Sequence, residues 1–244
     1  NNGNNFVAWN FKAGGAAVAN TDGTINSQVS VNNTLGFSIV KWSTSTTLAT
    51  VGHGLSSAPE LIIGKGINWS SSWPVYALPI GNTKKMSLND SSIPSTSTIW
   101  GNTTPTATTF NQDFTGTAGR TNIAYCFTSK PGFSKVGSYT GTGAAGNNVV
   151  TGFEPAFLMV KKSNGTGDWN MWDNKRGNQS ILWANGSSAE ATNAAYEILF
   201  RSNGFTVNAT ASAYNASGGN YIYLAFAADG STATPSLANS FATT

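Results

Sequence analysis

The residues best suited to chemistry are two acids that flank two tryptophans. Asp168 and Asp173 enclose Trp169 and Trp172, and paired carboxylates are what a glycoside hydrolase uses. In an extended strand, however, side chains alternate between two faces, so these two acids point in opposite directions. The spacing argues against a catalytic pair. We expect surface loop acids that contact a cation or a neighbouring subunit.

The histidine of the chain gives equally weak support to catalysis. His53 lies between Gly52 and Gly54 at the end of an apolar stretch. A catalytic triad needs a base that is held by a carboxylate and aimed at a nucleophile, and no Gly-x-Ser-x-Gly elbow is present. One histidine also excludes a metal site built from several histidines. We expect a turn histidine bonded to the backbone, a chain that is not an enzyme, and no cofactor.

Tryptophans among Asn, Asp and Ser neighbours form a second set of candidates, because such rings stack on sugars while the polar groups bond sugar hydroxyls. Trp69, Trp100 and Trp183 have weak counterparts elsewhere in the chain, so these three are candidate glycan contacts. Core or subunit contact is the commoner role for such residues. Trp73 and Trp169 recur at matched positions, which favours the core for both.

These candidates must be positioned by a fold that the sequence repeats. Gly36-Phe37-Ser38 returns 96 positions later as Gly132-Phe133-Ser134. An apolar run closed by a lysine, Leu61 to Lys65, returns as Phe157 to Lys161. In the same register, Trp73 matches Trp169 and Asn89 matches Asn185. A duplicated unit favours a structural or binding protein.

The composition favours strands over helices. Only 9% of residues are charged, and Asn, Ser and Thr compete with a helical backbone for hydrogen bonds. We therefore predict an all-β fold of two tandem β-sandwich-like repeats, each of about 95 residues, preceded by an extra N-terminal strand. A single larger sandwich or barrel is the alternative. The expected segments are an N-terminal strand and polar connection (1–34), a first repeat (35–130), a second repeat (131–230) and a C-terminal tail (231–244).

Charge and hydropathy restrict the partners. The net charge is +3 and the cations are scattered, which argues against nucleic-acid binding. The longest apolar runs fall well short of the roughly 20 residues that span a membrane. Cys126 is the only cysteine, so no intrachain disulfide forms, and its apolar surroundings predict a buried thiol.

The N-terminal segment resembles the strands that close the two repeats, at 123–127 and 222–226, although no repeat body precedes it. Unpaired strand edges are sites of association, so we predict an assembly strand whose partner lies outside residues 36–228. That partner is an upstream module or another subunit, or the strand extends the first repeat as an extra edge. The predicted assembly strand comprises Phe6, Val7, Ala8, Trp9, Asn10 and Phe11.

Several motifs resemble a repeat module of virion proteins from marine and cyanobacterial bacteriophages. They include residues 7–15, residues 20–25, Gly36 to Val40, and Asn215 to Tyr223. The resemblance covers the chain from Phe6 to about Ala228 and implies a tail-fibre-like structural protein on the virion surface. It implies partners among copies of the chain and other virion proteins, with no catalytic residues.

Three alternatives remain open at this point. The first is a carbohydrate-binding adhesin that recognises a host surface glycan, and the second is a capsid decoration or cement protein. The third is a depolymerising enzyme that uses Asp168 and Asp173.

Overall fold

The computed structural model describes residues 6–113, 117–227 and, for the backbone alone, 241–243. The predicted all-β class is confirmed. Short helical segments occur only as a 3-10 turn at Ala194–Tyr196 and α1 at Ser212–Asn215, within the described ranges. The Asn193 side chain accepts a hydrogen bond from the Ala195 N–H and so caps the 3-10 turn.

The strands follow the repeat. Those before the first repeat are β1 (Trp9–Phe11), β2 (Val18–Asn20) and β3 (Ser27–Asn32). Those of the first repeat are β4 (Phe37–Ser43), β5 (Thr50–Gly52), β6 (Leu61–Gly66), β7 (Pro74–Ala77), β8 (Lys84–Ser87), β9 (Ser95–Thr96), β10 (Thr109–Asn111) and β11 (Thr121–Phe127). Those of the second repeat and the C-terminal end are β12 (Ser134–Thr140), β13 (Asn147–Val150), β14 (Pro155–Lys162), β15 (Trp169–Asp173), β16 (Ser180–Trp183), β17 (Ala191–Thr192), β18 (Ile198–Arg201), β19 (Gly204–Val207), β20 (Asn220–Ala227) and β21 (Phe241–Thr243).

Both repeats have the same strand order. The first sheet runs β2-β3-β4-β11-β6-β7-β8-β9, and the second sheet runs β12-β20-β14-β15-β16-β17. In each repeat the closing strand lies between the first strand and the third. Each repeat also carries a small sheet, β10-β5 in the first and β13-β19-β18 in the second. The β2-β3 hairpin extends the first sheet only, so the segment 12–34 is more ordered than a polar connection.

The first sheet is covered on both faces, and strand alternation explains how. Ile62 packs into a first core with Trp42, Trp100 and Phe110, under the small sheet. Its neighbours on β6 point the other way, into a shared core that also contains the apolar residues of the second repeat. Cys126 lies fully buried in the first core, as expected. The two repeats are thus joined by one continuous apolar interior.

The N-terminal strand fills the junction between the repeats. Phe11 contacts Phe127 of the first sheet at 6.0 Å and Phe226 of the second at 4.9 Å between ring centroids. Trp9 meets Phe157 edge-on at 5.3 Å. These aromatic contacts fix β1 against both sheets at once.

The prediction for residues 6–11 needs correction in two respects. The strand covers only Trp9–Phe11, while Phe6 is 77% exposed and Val7 and Ala8 precede the ladder. Its backbone partner is β21, which lies outside residues 36–228 as expected but belongs to the same chain. The side chains pack on the repeats themselves, because they complete the aromatic junction.

Candidate functional site

A row of side chains crosses the first sheet on the face opposite the first core. Gln28 pairs with Lys41, Lys41 with Ile123, and Ile123 with Lys65. The ammonium of Lys65 lies over the ring of Trp73, 5.5 Å from its centroid. We call these five residues the open row, since Gln28 and Lys41 are exposed and the other three are half-buried.

The open row continues directly into the shared core. The next residues on the same face are Ile39, Tyr125 and Ile63, which are paired across β4, β11 and β6. Ile39 and Tyr125 are half-buried against the shared core, and Ile63 belongs to it. The same sheet face therefore changes along the strands from an internal interface to an exposed surface.

The exposed end of the row borders a shallow groove of about 270 Å³. Its lining consists mainly of amide, hydroxyl and ammonium side chains: Asn26, Ser27, Gln28, Lys41, Trp42, Ser43 and Thr121. Within the described parts of the chain, neither Lys41 nor Lys65 forms an ion pair. The surface therefore carries two lysine charges without an ion-pair partner among residues 6–113 and 117–227.

The second repeat buries the corresponding position. Lys161, the counterpart of Lys65, is fully buried, and its Nζ donates to the carbonyls of Ser91 at 3.2 Å and Ser92 at 2.9 Å. Burial lowers the pKa of Lys161 to about 8, against the opposing effect of Asp90 and Asp168. A segment of the first repeat therefore covers this lysine.

The matched tryptophan behaves in the same way. Trp169, the counterpart of Trp73, is 1% exposed, and its Nε1 donates to the carbonyl of Ser87 at 2.9 Å. The backbone N–H of Gly167 donates to the Ser91 carbonyl at 2.9 Å. Segment 87–92 of the first repeat thus receives donors from three residues of the second.

The reciprocal contact is not made within the described chain. The segment equivalent to 87–92 is 183–188, and its residues 186–188 are exposed. Lys65 donates instead to the carbonyl of Ser71, in its own repeat. Both repeats carry the lysine–tryptophan pair, but only one of the two pairs has a cover.

The three candidate glycan contacts are not brought together. Trp100 is 1% exposed and lies edge-on to Tyr76 in the first core, at 5.7 Å. A surface role as a glycan contact is wrong for Trp100, because its ring is part of the first core.

Trp69 and Trp183 are half-buried, in different repeats. The Nε1 of Trp69 donates to Asn122 at 3.0 Å, and the Arg120 guanidinium lies 4.5 Å from its ring centroid. Trp183 lies edge-on to Tyr196 at 6.2 Å. Their role as glycan contacts stays a prediction.

His53 occupies the structural role that the sequence favoured. It is fully buried, its Nδ1 accepts from the backbone N–H of Leu55 at 3.1 Å, and its Nε2 is 3.2 Å from the Thr106 carbonyl. The ring is therefore the neutral tautomer with the proton on Nε2. Burial lowers its pKa, since the imidazolium form would lose its hydration.

The acids beside Trp169 and Trp172 do not converge. Asp168 accepts from the side chain of Asn185 at 2.8 Å. Asp173 is 1% exposed and pairs with Arg176 at 2.6 Å. The expectation of two surface acids is thus wrong for Asp173, which is a buried partner of arginine. Across residues 6–113 and 117–227, His, Cys, Asp and Glu form no group of three that would hold a metal ion.

The fold and this surface define a class: a duplicated all-β protein whose two repeats share a core and whose first repeat exposes part of one sheet face. The chain belongs to the DUF7483 family, a domain of unknown function whose model matches residues 1–229. No curated protein and no solved structure matches it. Among the helices of the described segments, none has the length and apolar character needed to cross a membrane.

Proposed function

We propose that the chain is a non-enzymatic structural module of a bacteriophage virion, a part of a fibre or tail appendage exposed on the particle. The sequence resemblance to phage repeat modules over nearly the whole chain is the observation that carries the proposal. The duplicated all-β architecture is in keeping with it. Copies of the chain and other virion proteins are the proposed partners.

The packing supports a load-resisting role over a catalytic one. The shared core extends through both repeats, so that one repeat does not move without disrupting the apolar contacts of the other. The side chains of β1 add aromatic contacts to both sheets. A body of this kind suits a module that transmits force along an appendage.

The test is mass spectrometry of purified particles together with immunogold imaging by electron microscopy. We expect the chain in density-purified virions and antibody label at one end of the particle. A non-structural phage enzyme of similar abundance in the same lysate serves as the control. Presence in the lysate with absence from purified particles contradicts the proposal, and label spread over the whole shell identifies a decoration protein instead.

Binding of a host surface glycan is a second candidate function, and the groove beside the open row favours it. Its amide and hydroxyl lining offers the donors and acceptors that sugar hydroxyls use. A glycan array tests this with Gln28→Ala as the variant and Asn164→Ala, outside the groove, as the control. Saturable binding that Gln28→Ala alone abolishes supports the groove, whereas a flat array contradicts it.

A further inference from the structure

We infer that a second copy of this chain covers the Lys65–Trp73 end of the open row, using its own segment 183–188, of which residues 186–188 are exposed. The inference rests on the proposed function only in expecting copies to stand side by side. The surfaces themselves are identified by comparing the two repeats. Each surface is the counterpart of one that is already in use inside the chain.

The first repeat presents the same hydrogen-bond donors that the second repeat uses inside the chain. The second repeat supplies the Lys161 ammonium and the Trp169 indole N–H to carbonyls of segment 87–92. Lys65 and Trp73 carry the same two groups at the same positions. The Lys65 ammonium has three hydrogens and one bonded carbonyl, that of Ser71. The part of the chain that the structure describes offers the Trp73 indole no acceptor.

The second repeat presents, in segment 183–188, the counterparts of the carbonyl acceptors of segment 87–92. Ser87 and Trp183 occupy the same turn position: their carbonyls accept backbone N–H groups from Asp90 at 3.3 Å and Gly186 at 3.2 Å, respectively. Ser187 and Ser188, the counterparts of Ser91 and Ser92, are exposed. Their carbonyls accept no hydrogen bond from the described residues, so the exposed part of this segment has the turn of the first-repeat cover without the lysine that the cover binds.

Continuity with the shared core explains why a protein surface fits the row. Tyr125 leads from the shared core to Ile123 along β11, and Trp73 packs against the same core, with Lys65 between Ile123 and Trp73. The half-buried aromatic and aliphatic groups supply apolar area, and the two lysines supply hydrogen-bond donors that fix the orientation of a partner. A partner that buries this patch would extend an interface that already exists within the chain.

The proposed contact joins two different surfaces, one from the first repeat and one from the second. A contact of this kind is heterologous, so it builds a ring when the rotation closes and a filament when it does not. A two-fold dimer is not expected. This property sets the design of the test, because each surface can be altered separately.

The experiment is sedimentation velocity on the whole chain, from about 1 µM to about 1 mM, a range that covers weak and moderate contacts. We expect concentration-dependent association of the wild type that Lys65→Glu weakens at least tenfold. Lys175→Glu makes the same charge change at an exposed lysine outside both surfaces and should leave association unchanged. Far-ultraviolet circular dichroism and thermal unfolding check that both variants fold.

A complementary pair of variants tests the partner surface. Ser188→Arg places a cation opposite Lys65 and should likewise weaken association at least tenfold. Mixed in equal amounts, the Lys65→Glu and Ser188→Arg chains should associate, since the new carboxylate meets the new guanidinium and the untouched surfaces meet each other.

Three results overturn the inference: a wild type that stays monomeric throughout, equal effects of Lys65→Glu and Lys175→Glu, or a mixture that does not associate. None of them bears on whether the chain is found in purified virions. Failure of this contact and failure of the proposed function are therefore distinguishable.

Discussion

Lys65 and Lys161 end the same apolar strand in two copies of one fold, yet one is half-exposed and the other fully buried. Lys65 makes one hydrogen bond to a carbonyl and lies over Trp73, whereas Lys161 binds two carbonyls of the other repeat. The segment that packs against each lysine, and not the repeated sequence, decides how far that lysine is buried. A residue that recurs with a repeat is therefore not necessarily a core residue.

The largest difference between the repeats should come from the matched tryptophans. Trp169→Ala removes a fully buried ring and its bond to the Ser87 carbonyl, so we expect a loss of about 3–5 kcal/mol in the free energy of unfolding. Trp73→Ala removes a ring that is only partly buried against the shared core and should cost less, about 1–2 kcal/mol. Urea denaturation followed by circular dichroism measures both, and equal losses would refute the difference.

The lysines should differ by a smaller amount. Lys161→Met removes the donor to the Ser92 carbonyl and leaves the Ser91 carbonyl with the Gly167 N–H alone, which should cost about 2 kcal/mol. Lys65→Met should stay within about 0.5 kcal/mol of the wild type, when measured at concentrations where the chain is monomeric. A Lys65→Met variant as unstable as Lys161→Met would show that the row is not open in solution.

The lowered pKa of Lys161 makes its contribution to the free energy of unfolding depend on pH. Its folded pKa of about 8 lies below the ordinary value of 10.5, so the unfolded chain binds the proton more tightly. The stability of the wild type relative to Lys161→Met should therefore rise as the pH increases from about 8 to 10.5. Unfolding curves across that range test the sign, and a relative fall would contradict it.

One hydrogen bond is common to both repeats, so its loss should destabilise them by nearly the same amount. The backbone N–H of Trp73 donates to Asn89 at 2.8 Å, and that of Trp169 donates to Asn185 at 2.7 Å. We expect Asn89→Ala to cost about 1 kcal/mol. Asn185→Ala should cost slightly more, because Asn185 also donates to Asp168. An effect confined to one of the two variants would mean that the motif supports only one repeat.

The smallest effect should be a weakening of the first repeat by acid. The folded pKa of His53 is lowered from 6.5, so its contribution to stability is complete above 6.5 and is lost as the pH falls below that value. His53→Gln should flatten the decline of the melting temperature below pH 6.5. The second repeat has Thr151-Gly152 in this region, and the chain has no other histidine to confuse the readout. An unchanged decline in the variant contradicts the assignment.

Local patterns predicted what depends on local physics. The scarcity of charge and the alternation of side chains predicted the all-β class, and the glycines around His53 predicted a turn histidine. The matched lysines, Lys65 and Lys161, were visible as the ends of two apolar runs. Their opposite burial was not, because it depends on how two repeats 96 residues apart pack on each other.

The errors have the same origin. Trp100 is a candidate glycan contact in the sequence, with core contact as the commoner role, and its neighbours along the chain do not show that it lies in the first core. The partner of β1 lies at the far end of the chain, beyond the reach of any short-range signal. The open row could not be predicted from the sequence, since its residues come from four strands and from the residue before a fifth, which only the sheet register aligns.

Cys126 is a natural probe of how often the first sheet opens. It lies on β11 between Ser38 and Ile62, is fully buried, and has a thiol pKa that burial raises. A thiol reagent can modify it only after the centre of the first sheet opens, because the thiolate is the reactive form. The second repeat contains no cysteine. The labelling rate of the natural chain therefore reports how often the first sheet opens, separately from the second, with no introduced probe.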